Sequence, residues 1–361
     1  MIIFQLIQKP QKRGAEIFAA QLSEKLQGLG HQVVLITIFE GRCDLPYSGE
    51  IINLNRPINK RLYDYKGWKQ LANLVSKYNP DIIQCNAGDT LKWAIFSKLL
   101  FNWKSIVIAR NASVVSRYVN SIIAKKLNQF LYSKADYIIS VSDNSKNDLI
   151  QLYPYTYNKI EVIPIGIENQ NICNIDFKTV NDNFKNIVHV GGFTFEKNHF
   201  GLLNIWKKFS KNNTNVSLHL IGDGPLQKTI IEEVHKSKLD NVEFYGWVNN
   251  PLDYISKADM LILPSKIEGL PAVILEAMFV KTPVVAYNVG GISEVLQHKI
   301  TGFLINDFDE NNFVSSMSEI IECNVDNIKK TAHDLVIDNY LNSKIAIRFQ
   351  NSYLKMITDS I

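Results

Sequence analysis

An α/β fold built on two parallel sheets is the architecture this sequence predicts, and three observations lead to it. The 361 residues exceed what one hydrophobic core usually serves, so two domains of ordinary size are expected. Short β-rich apolar runs alternate with stretches of helical period, and the runs lack polar alternation, which fits strands buried on both faces. The alternation occurs twice, either side of the patternless, Asn-rich segment "GIENQNICNIDFKTVNDNFKN" at 166–186, which reads as the connection between domains.

In the first half, strands are expected at Ile2 to Ile7, Val33 to Phe39, Ile82 to Cys85, Ile106 to Ala109, Tyr137 to Val141 and Val162 to Ile165. Helices are expected at Ala15 to Leu29, Leu62 to Tyr78, Thr90 to Phe101, Arg117 to Tyr132 and Ser145 to Leu152. In the second half the strand-like runs are Ile187 to Val190, Val216 to Ile221, Val242 to Tyr245, Met260 to Leu263, Pro283 to Tyr287 and Gly302 to Ile305. Helices fall between them, including Phe200 to Phe209, whose Leu203, Trp206 and Phe209 lie on one stripe. Ligands of such sheets bind beyond the strand C-termini, and two facing sheets would place them in the cleft between domains.

Composition excludes several classes. A hydrophobic fraction of 46% with 20% charged residues belongs to a soluble globular chain and not to a disordered one. The cysteines at 43, 85, 173 and 323 are scattered, with no Cys-x-x-Cys and no His cluster at ligand spacing, which argues for a reducing compartment and against structural zinc. The opening "MIIFQLIQKPQKRG" has too short an apolar run for a signal peptide, and its charges follow the run. No run approaches the roughly eighteen apolar residues of a spanning helix, so the expected location is cytoplasmic and any membrane contact peripheral. Residues 1–168 hold 21 Lys+Arg against 13 Asp+Glu, a net of +8, while the remainder holds 18 against 22, a net of −4. The basic half should meet something acidic.

The segment "PSKIEGLPAVILEAM" at 264–278 carries the most chemistry. Pro271 suits the first helical position, leaving the following amides free to attract an anion. Glu276 sits among Ala272, Val273, Ile274, Leu275, Ala277 and Met278, and if buried it needs a hydrogen-bonding partner, which a pair of sugar hydroxyls would supply. Taken singly, Glu268 reads as a solvated loop acid and Glu276 as the partner of a nearby Lys such as Lys281. Together with the flanking Gly and Pro, they suit a substrate bearing a phosphate and hydroxyl groups.

The second half resembles the retaining nucleotide-sugar glycosyltransferases of glycosyltransferase family four. The matching pieces are "VIPIGIE" at 162–168, "VGGFTFEKN" at 190–198, "LIGDGP" at 220–225, "VEFYGW" at 242–247, "ADMLILPSKIEGLPAVILEAM" at 258–278, "TPVVAYNVGGISEVL" at 282–296 and "TGFLI" at 301–305. The first half matches more loosely, through "RGAEIFAAQLSEKLQGLGHQVVLIT" at 13–37 and "ADYIISVSDNSKNDL" at 135–149. The resemblance implies the GT-B architecture, two Rossmann-like doubly wound domains facing across a cleft. Residues 1–168 would be the acceptor domain, with a C-terminal helix over about 345–361 packing back on it, and residues 169–344 the donor domain.

Roles carry over where residues match. Lys197 corresponds to the lysine that holds the donor diphosphate, Glu276 to the acid that binds the ribose hydroxyls, and Glu268 to the acid beside the transferred sugar, with the Gly269, Leu270 and Pro271 backbone nearby. Gly191 and Gly192 let backbone approach the donor, Gly14 does so after the first strand, and Tyr245 ends the strand that would lie near the base. Many members have an Arg where this chain has Gly192. Many also have a His in the first domain, in the segment that here reads "SIVIARNAS", so Arg110 or Asn111 would occupy that place and meet the acceptor.

The implied donor is a UDP- or GDP-linked sugar and the implied acceptor a glycan or lipid-linked glycan of surface polysaccharide biosynthesis. No metal or cofactor is expected, since the one Asp-x-Asp, Asp307 and Asp309, follows a strand and precedes a helix, where capping explains it. Asp223 and Gly224 likewise read as the start of a helix through Pro225. "TLKWAIFSKLLFNWKS" at 90–105 joins aromatics to lysines; a helix buried against the sheet accounts for most of it, and peripheral contact with an anionic membrane is the alternative. Nucleic acid is not an expected partner, because no binding motif accompanies the charge. Two other readings stay open: a non-catalytic nucleotide-sugar-binding subunit, prompted by Gly192 and the absent His, and an NAD-type dehydrogenase. Against the last, "QKPQKRGAE" after the first strand contains no Gly-x-Gly-x-x-Gly.

Overall fold

The structure, a computed structural model, describes every residue except 42, 120, 178–183, 240, 307 and 361. The chain forms two compact units: Met1–Glu168 joined by Leu341–Ile361, and Asn169–Tyr340.

In the first unit the strands are β1 (Ile2–Ile7), β2 (Gln32–Phe39), β3 (Glu50–Arg56), β4 (Ile82–Cys85), β5 (Ile106–Asn111), β6 (Tyr137–Ser140) and β7 (Ile160–Val162). They form one parallel sheet in the order β3-β2-β1-β4-β5-β6-β7. Its helices are α1 (Gly14–Gly28), α2 (Tyr65–Tyr78), α3 (Gly88–Phe101), α4 (Ile122–Lys134) and α5 (Asp143–Leu152). One face of the sheet buries Phe4, Leu6, Val34, Ile36, Ile83 and Val107 under α2 to α5. The residues between them in sequence point to the other face, as the two-residue strand repeat requires.

The second unit pairs β8 (Lys185–Val190), β9 (Val216–Ile221), β10 (Val242–Gly246), β11 (Met260–Leu263), β12 (Val284–Tyr287) and β13 (Phe303–Ile305) in the parallel order β10-β9-β8-β11-β12-β13. Its helices are α6 (His199–Asn212), α7 (Gln227–Lys236), α8 (Pro251–Lys257), α9 (Ala272–Phe279), α10 (Glu310–Glu322) and α11 (Asp326–Asn339). The stripe of Leu203, Trp206 and Phe209 on α6 is buried against Leu218, Leu220 and Val285. The last helix, α12 (Asn342–Asp359), belongs to the first unit, where Phe349 lies 6.0 Å from Phe18 of α1 between ring centroids.

The expected elements are present, with instructive differences. β3 was absent from the sequence expectation because it is an edge strand of mixed polarity, "EIINLNR", half-exposed along its length. The strand expected over Val162 to Ile165 is Ile160–Val162: Ile163 still donates to Ser140, but Pro164 has no N–H to continue the ladder. The helix expected from Leu62 starts at Tyr65, because the Asp64 carboxylate accepts from Gly67 N at 3.0 Å and caps it. The helix expected from Arg117 starts at Ile122, capped by Ser121.

Asp223, Gly224 and Pro225 do not open a helix. α7 begins at Gln227, while Asp223 O accepts from Phe193 N at 3.0 Å and its carboxylate accepts from Gly224 N. Asp309 caps α10, accepting from Asn311 and Asn312. Asp307 and residues 178–183 of the expected connection lie outside the described residues.

Candidate active site

In the second sheet the chain runs outward from β8 through β9 to β10, then crosses back to β11 on the other side of β8. The strand order reverses there, and the crevice beyond the C-terminal ends at such a point is where α/β sheets bind ligands. Two of the sequence-selected residues rise from its two sides. Lys197 ends a short turn, Phe195–Lys197, in the loop after β8, and Glu268 lies in the loop after β11. The Lys197 Nζ donates to Glu268 Oε1 at 2.7 Å, with the two side chains 21% and 10% exposed. Glu268 is therefore not the solvated loop acid of the ordinary reading.

Backbone contacts hold these loops in register. Lys266 N donates to Glu196 O at 2.7 Å, and the Asn198 amide donates to Pro264 O at 2.9 Å. On the far side Gly291 N donates to Gly269 O at 2.7 Å. Gly290, at φ 58°, runs so close to the Glu268 carbonyl that a Cβ there would overlap its oxygen. Gly191 N donates to Ile221 O, and a Cβ on Gly191 would press on the Lys197 stem at 3.1 Å. Gly191 is thus small because the lysine lies along the backbone. Gly192 differs: a Cβ there would reach Asp223 O only at 3.5 Å, so the protein itself leaves the space beside it clear.

Beneath the lysine loop lie two histidines that sequence reasoning did not select. His189 donates through Nδ1 to Ile262 O at 2.9 Å, and the His199 ring stacks on Phe193 at 4.0 Å. Burial, with Lys197 nearby, pushes His189 down to about 4 and His199 down to about 2, so both are neutral at physiological pH. They fill and shape the floor under Lys197 without adding charge. The only sequence signal was their place, one before the end of β8 and one at the start of α6.

Glu276 projects from α9, the helix that follows the Glu268 loop. Pro271 is its N-cap, with ψ 122°, and not its first helical residue; Ala272 takes that place. No side chain caps the helix, so its first amides remain available to an anion. Val273, Ile274, Leu275, Ala277 and Met278 are buried, whereas Ala272 and Glu276, one turn apart, are only half-buried. Helical side chains lean toward the N-terminus, so the Glu276 carboxylate is directed back toward the loop. Burial pushes it up to about 7, and among the described residues neither Lys281 nor any other cation pairs with it.

The remaining residues lie elsewhere. The Tyr245 hydroxyl shares a hydrogen bond with His219 Nδ1 at 3.1 Å and its ring packs on Tyr254, so this hydroxyl is not drawn to Lys197 and Glu268. Gly14, Arg110 and Asn111 belong to the first unit. Gly14 opens α1, and a Cβ there would meet nothing within 4 Å. Asn111 donates to Ser140 Oγ at 3.1 Å and Ser145 O at 2.9 Å, while Arg110 is buried over the Phe18 ring. Two surface hollows, one beside Lys185 and Thr282 and one beside Asn79 and Lys104, lie at the opposite, N-terminal ends of the strands.

Two Rossmann-like units in one chain, each a parallel sheet whose strand order reverses once, make up the GT-B architecture. The family model for glycosyl transferases group 1 matches residues 173–338, and that for glycosyltransferase family 4 matches residues 12–171. The chain belongs to glycosyltransferase family four. It is 28% identical to the N-acetyl-alpha-D-glucosaminyl L-malate synthase of Bacillus anthracis over 97% of this chain and 96% of that one. It is 25% identical to the N-acetylgalactosamine-N,N'-diacetylbacillosaminyl-diphospho-undecaprenol 4-alpha-N-acetylgalactosaminyltransferase of Campylobacter jejuni over 63% of this chain, a match that spans less than two thirds, 64%, of that relative's length. In three dimensions it is similar to Anabaena HepE in complex with UDP and glucose, with a TM-score of 0.82 at 17% identity, covering 97% of this chain and 98% of the other.

Proposed function

We propose that this chain is a retaining glycosyltransferase that moves a sugar from a UDP- or GDP-linked donor to a hydroxyl of a glycan or lipid-linked acceptor in surface polysaccharide biosynthesis. The observation that carries this reading is the Lys197–Glu268 pair, 2.7 Å apart at the switch point of the second sheet. Its ammonium has three donors and gives one to Glu268, so two remain for the oxygens of a donor diphosphate. Negative charge grows on that diphosphate as the anomeric C–O bond breaks, and Lys197 with the α9 amides would stabilise it. Glu268 would orient the transferred sugar, and Glu276 would accept from the ribose hydroxyls. UDP in the HepE complex and the diphospho-undecaprenol in the Campylobacter relative's name support this choice of donor and acceptor.

In the proposed step the bond from the anomeric carbon to the diphosphate oxygen breaks, and its electron pair stays on that oxygen. The acceptor hydroxyl oxygen bonds to the same carbon from the same face, and its proton passes to the departing phosphate. The products are a nucleoside diphosphate and the extended glycan.

A second reading, a non-catalytic nucleotide-sugar-binding subunit, is favoured by Gly192, which stands where many members carry an Arg. Incubating the purified chain with UDP- and GDP-sugars separates the two. Released nucleoside diphosphate supports the enzyme; tight donor binding without release over many hours supports the subunit.

Peripheral attachment to an anionic membrane is proposed as well, on a surface that keeps only part of the stretch the sequence suggested and adds the start of α4. Trp93 and Lys92 of α3 are buried, the lysine paired with Asp89. Leu99 and Leu100 remain exposed on α3, and Ile122 and Ile123 on α4 are 75% and 81% exposed beside Lys125 and Lys126. Apolar side chains next to lysines suit the surface of an anionic bilayer. Among the described residues no helix is long and apolar enough to cross a membrane.

A further inference from the structure

The first unit contains a charge that its own structure leaves unanswered. Arg110, at the C-terminal end of β5, is only 5% exposed, and its Nε and Nη1 have no hydrogen-bond partner among the described residues. Its guanidinium lies 4.0 Å from the centre of the Phe18 ring, and among the described residues no carboxylate forms an ion pair with it. Taking a guanidinium out of water without an anion or hydrogen bonds is costly, so such a group is kept where something outside the chain completes it. Burial pushes it down to about 9, which leaves it charged near neutrality.

Its surroundings are those of a site. Strands β1, β4 and β5 end here, and the order of the first sheet reverses between β1 and β4. The face of the sheet under Arg110 is polar: Asn86 and Gln84 donate to Gln5 Oε1, and the Tyr353 hydroxyl donates to Gln84 Oε1 at 2.6 Å. These amides satisfy one another, and none takes a bond from Arg110. Phe18 opens the second turn of α1, so the guanidinium over its ring stands beside the N-terminal half of that helix. No side chain caps α1, and a Cβ on Gly14 at its start would enter open space. The loop before it, "QKPQKRG", carries Lys9, Lys12 and Arg13. Glu16, the acid of the first turn, accepts instead from the Gln11 amide, and burial raises its carboxyl toward the neutral form.

We infer that the first unit holds an anion subsite, formed by the Arg110 guanidinium and the uncapped start of α1, which takes a carboxylate or phosphate group carried by the acceptor. This rests on the proposed reading of the first unit as the acceptor half. Planar guanidinium and a carboxylate or phosphate match as two parallel hydrogen bonds, so the acceptor is an acidic saccharide or a phosphate-linked one and not a neutral glycan.

The test uses the full chain with saturating UDP present, so that a free anion does not compete for the donor site. Malonate and inorganic phosphate are titrated by calorimetry into the wild type, Arg110→Met and Arg110→Lys. The expected result is binding to the wild type that weakens at least about tenfold in Arg110→Met and recovers in part in Arg110→Lys, with UDP affinity unchanged. Without added anion, Arg110→Met should melt higher than the wild type, because an unpaired buried charge has been replaced by an apolar chain of similar length. A merely structural arginine would give the opposite shift. Equal anion binding in wild type and Arg110→Met, no binding of either probe to the wild type, or a lower melting temperature for Arg110→Met would each overturn the inference. Loss of UDP affinity in Arg110→Met would overturn it too, by assigning the guanidinium to the donor diphosphate. Should Arg110→Met fail to fold, Arg110→Gln gives the same binding comparison. Anion binding that depends on Arg110 in a chain that binds no UDP would leave this subsite standing and count against the donor reading alone.

Discussion

Gly290 and Glu268 approach so closely, backbone to backbone, that no side chain fits between them. This contact ties the loop after β12 to the loop after β11 and sets the height of the Glu268 carboxylate above the strand ends. With φ at 58°, Gly290→Ala combines a clash with a strained backbone, and a loss of about 1–3 kcal/mol of stability is expected. Gly14→Ala is the counterpart, since its Cβ meets nothing in the chain. Its stability should change by less than about 0.5 kcal/mol, yet transfer should fall if a substrate passes over that glycine. Chemical denaturation of both variants beside a transfer assay checks the pair. Equal stability losses in the two would contradict the account.

On the proposed role of Glu276 at the ribose, nucleotide binding is expected to depend on pH. Its carboxyl titrates near 7 in the folded chain against 4.5 for an ordinary Glu, so between those values the folded form holds a proton that the unfolded form has lost. The stability linked to that proton is fully present below 4.5 and is lost as pH rises through 7. Glu276→Gln keeps the neutral form at every pH, so its melting temperature should gain on the wild type between pH 5 and pH 8. Ribose hydroxyls donate best to the ionised carboxylate. Wild-type affinity for UDP should therefore rise from pH 6 to pH 8, while that of Glu276→Gln stays flat and about tenfold weaker at the upper end. Parallel affinity curves for the two proteins would remove Glu276 from the ribose site.

On the proposed donor site, Gly192 leaves room for a second phosphate contact. A Cβ fits there, at 3.5 Å from Asp223 O, without disturbing the loop. Gly192→Arg should tighten UDP binding by up to about tenfold, the scale of one charge-assisted hydrogen bond. Calorimetric titration with UDP measures it, and weaker binding by the variant would show that the space serves another part of the donor.

Much of the fold was legible because buried parallel strands leave unbroken apolar runs: Ile82–Cys85, Val216–Ile221 and Met260–Leu263 were placed to the residue. β3 escaped because an edge strand needs no apolar run, and the starts of α2 and α4 shifted because Asp64 and Ser121 cap them a few residues later than the hydrophobic pattern suggests. The site was legible in part. Lys197, Glu268 and Glu276 stood out through their motifs, but the direct ion pair joins positions 71 residues apart and depends on two strands being neighbours. The burial of Arg110 was equally hidden, since only the packing of α1 and α12 against the sheet encloses it.

Membrane attachment is tested on its own. With liposomes rich in anionic lipid at moderate salt, the wild type should float with the vesicles. A quadruple variant, Ile122→Ser, Ile123→Ser, Lys125→Glu and Lys126→Glu, should stay in the soluble fraction, because it loses apolar contact and reverses two charges worth about 1 kcal/mol each near such a surface. Flotation of neither protein would dispose of the attachment, and equal flotation of both would place it on another face.

The central claim is that Lys197 and Glu268 act together on an activated sugar. Its most direct measurement is the turnover of the preferred nucleotide sugar by wild type, Lys197→Ala, Glu268→Ala and the double variant. Each single change should lower kcat by about 100- to 1,000-fold, and the double variant should lose much less than the product of the two, because the residues form one unit. Near-normal turnover in either single variant, or full multiplication of the two losses, would contradict the account.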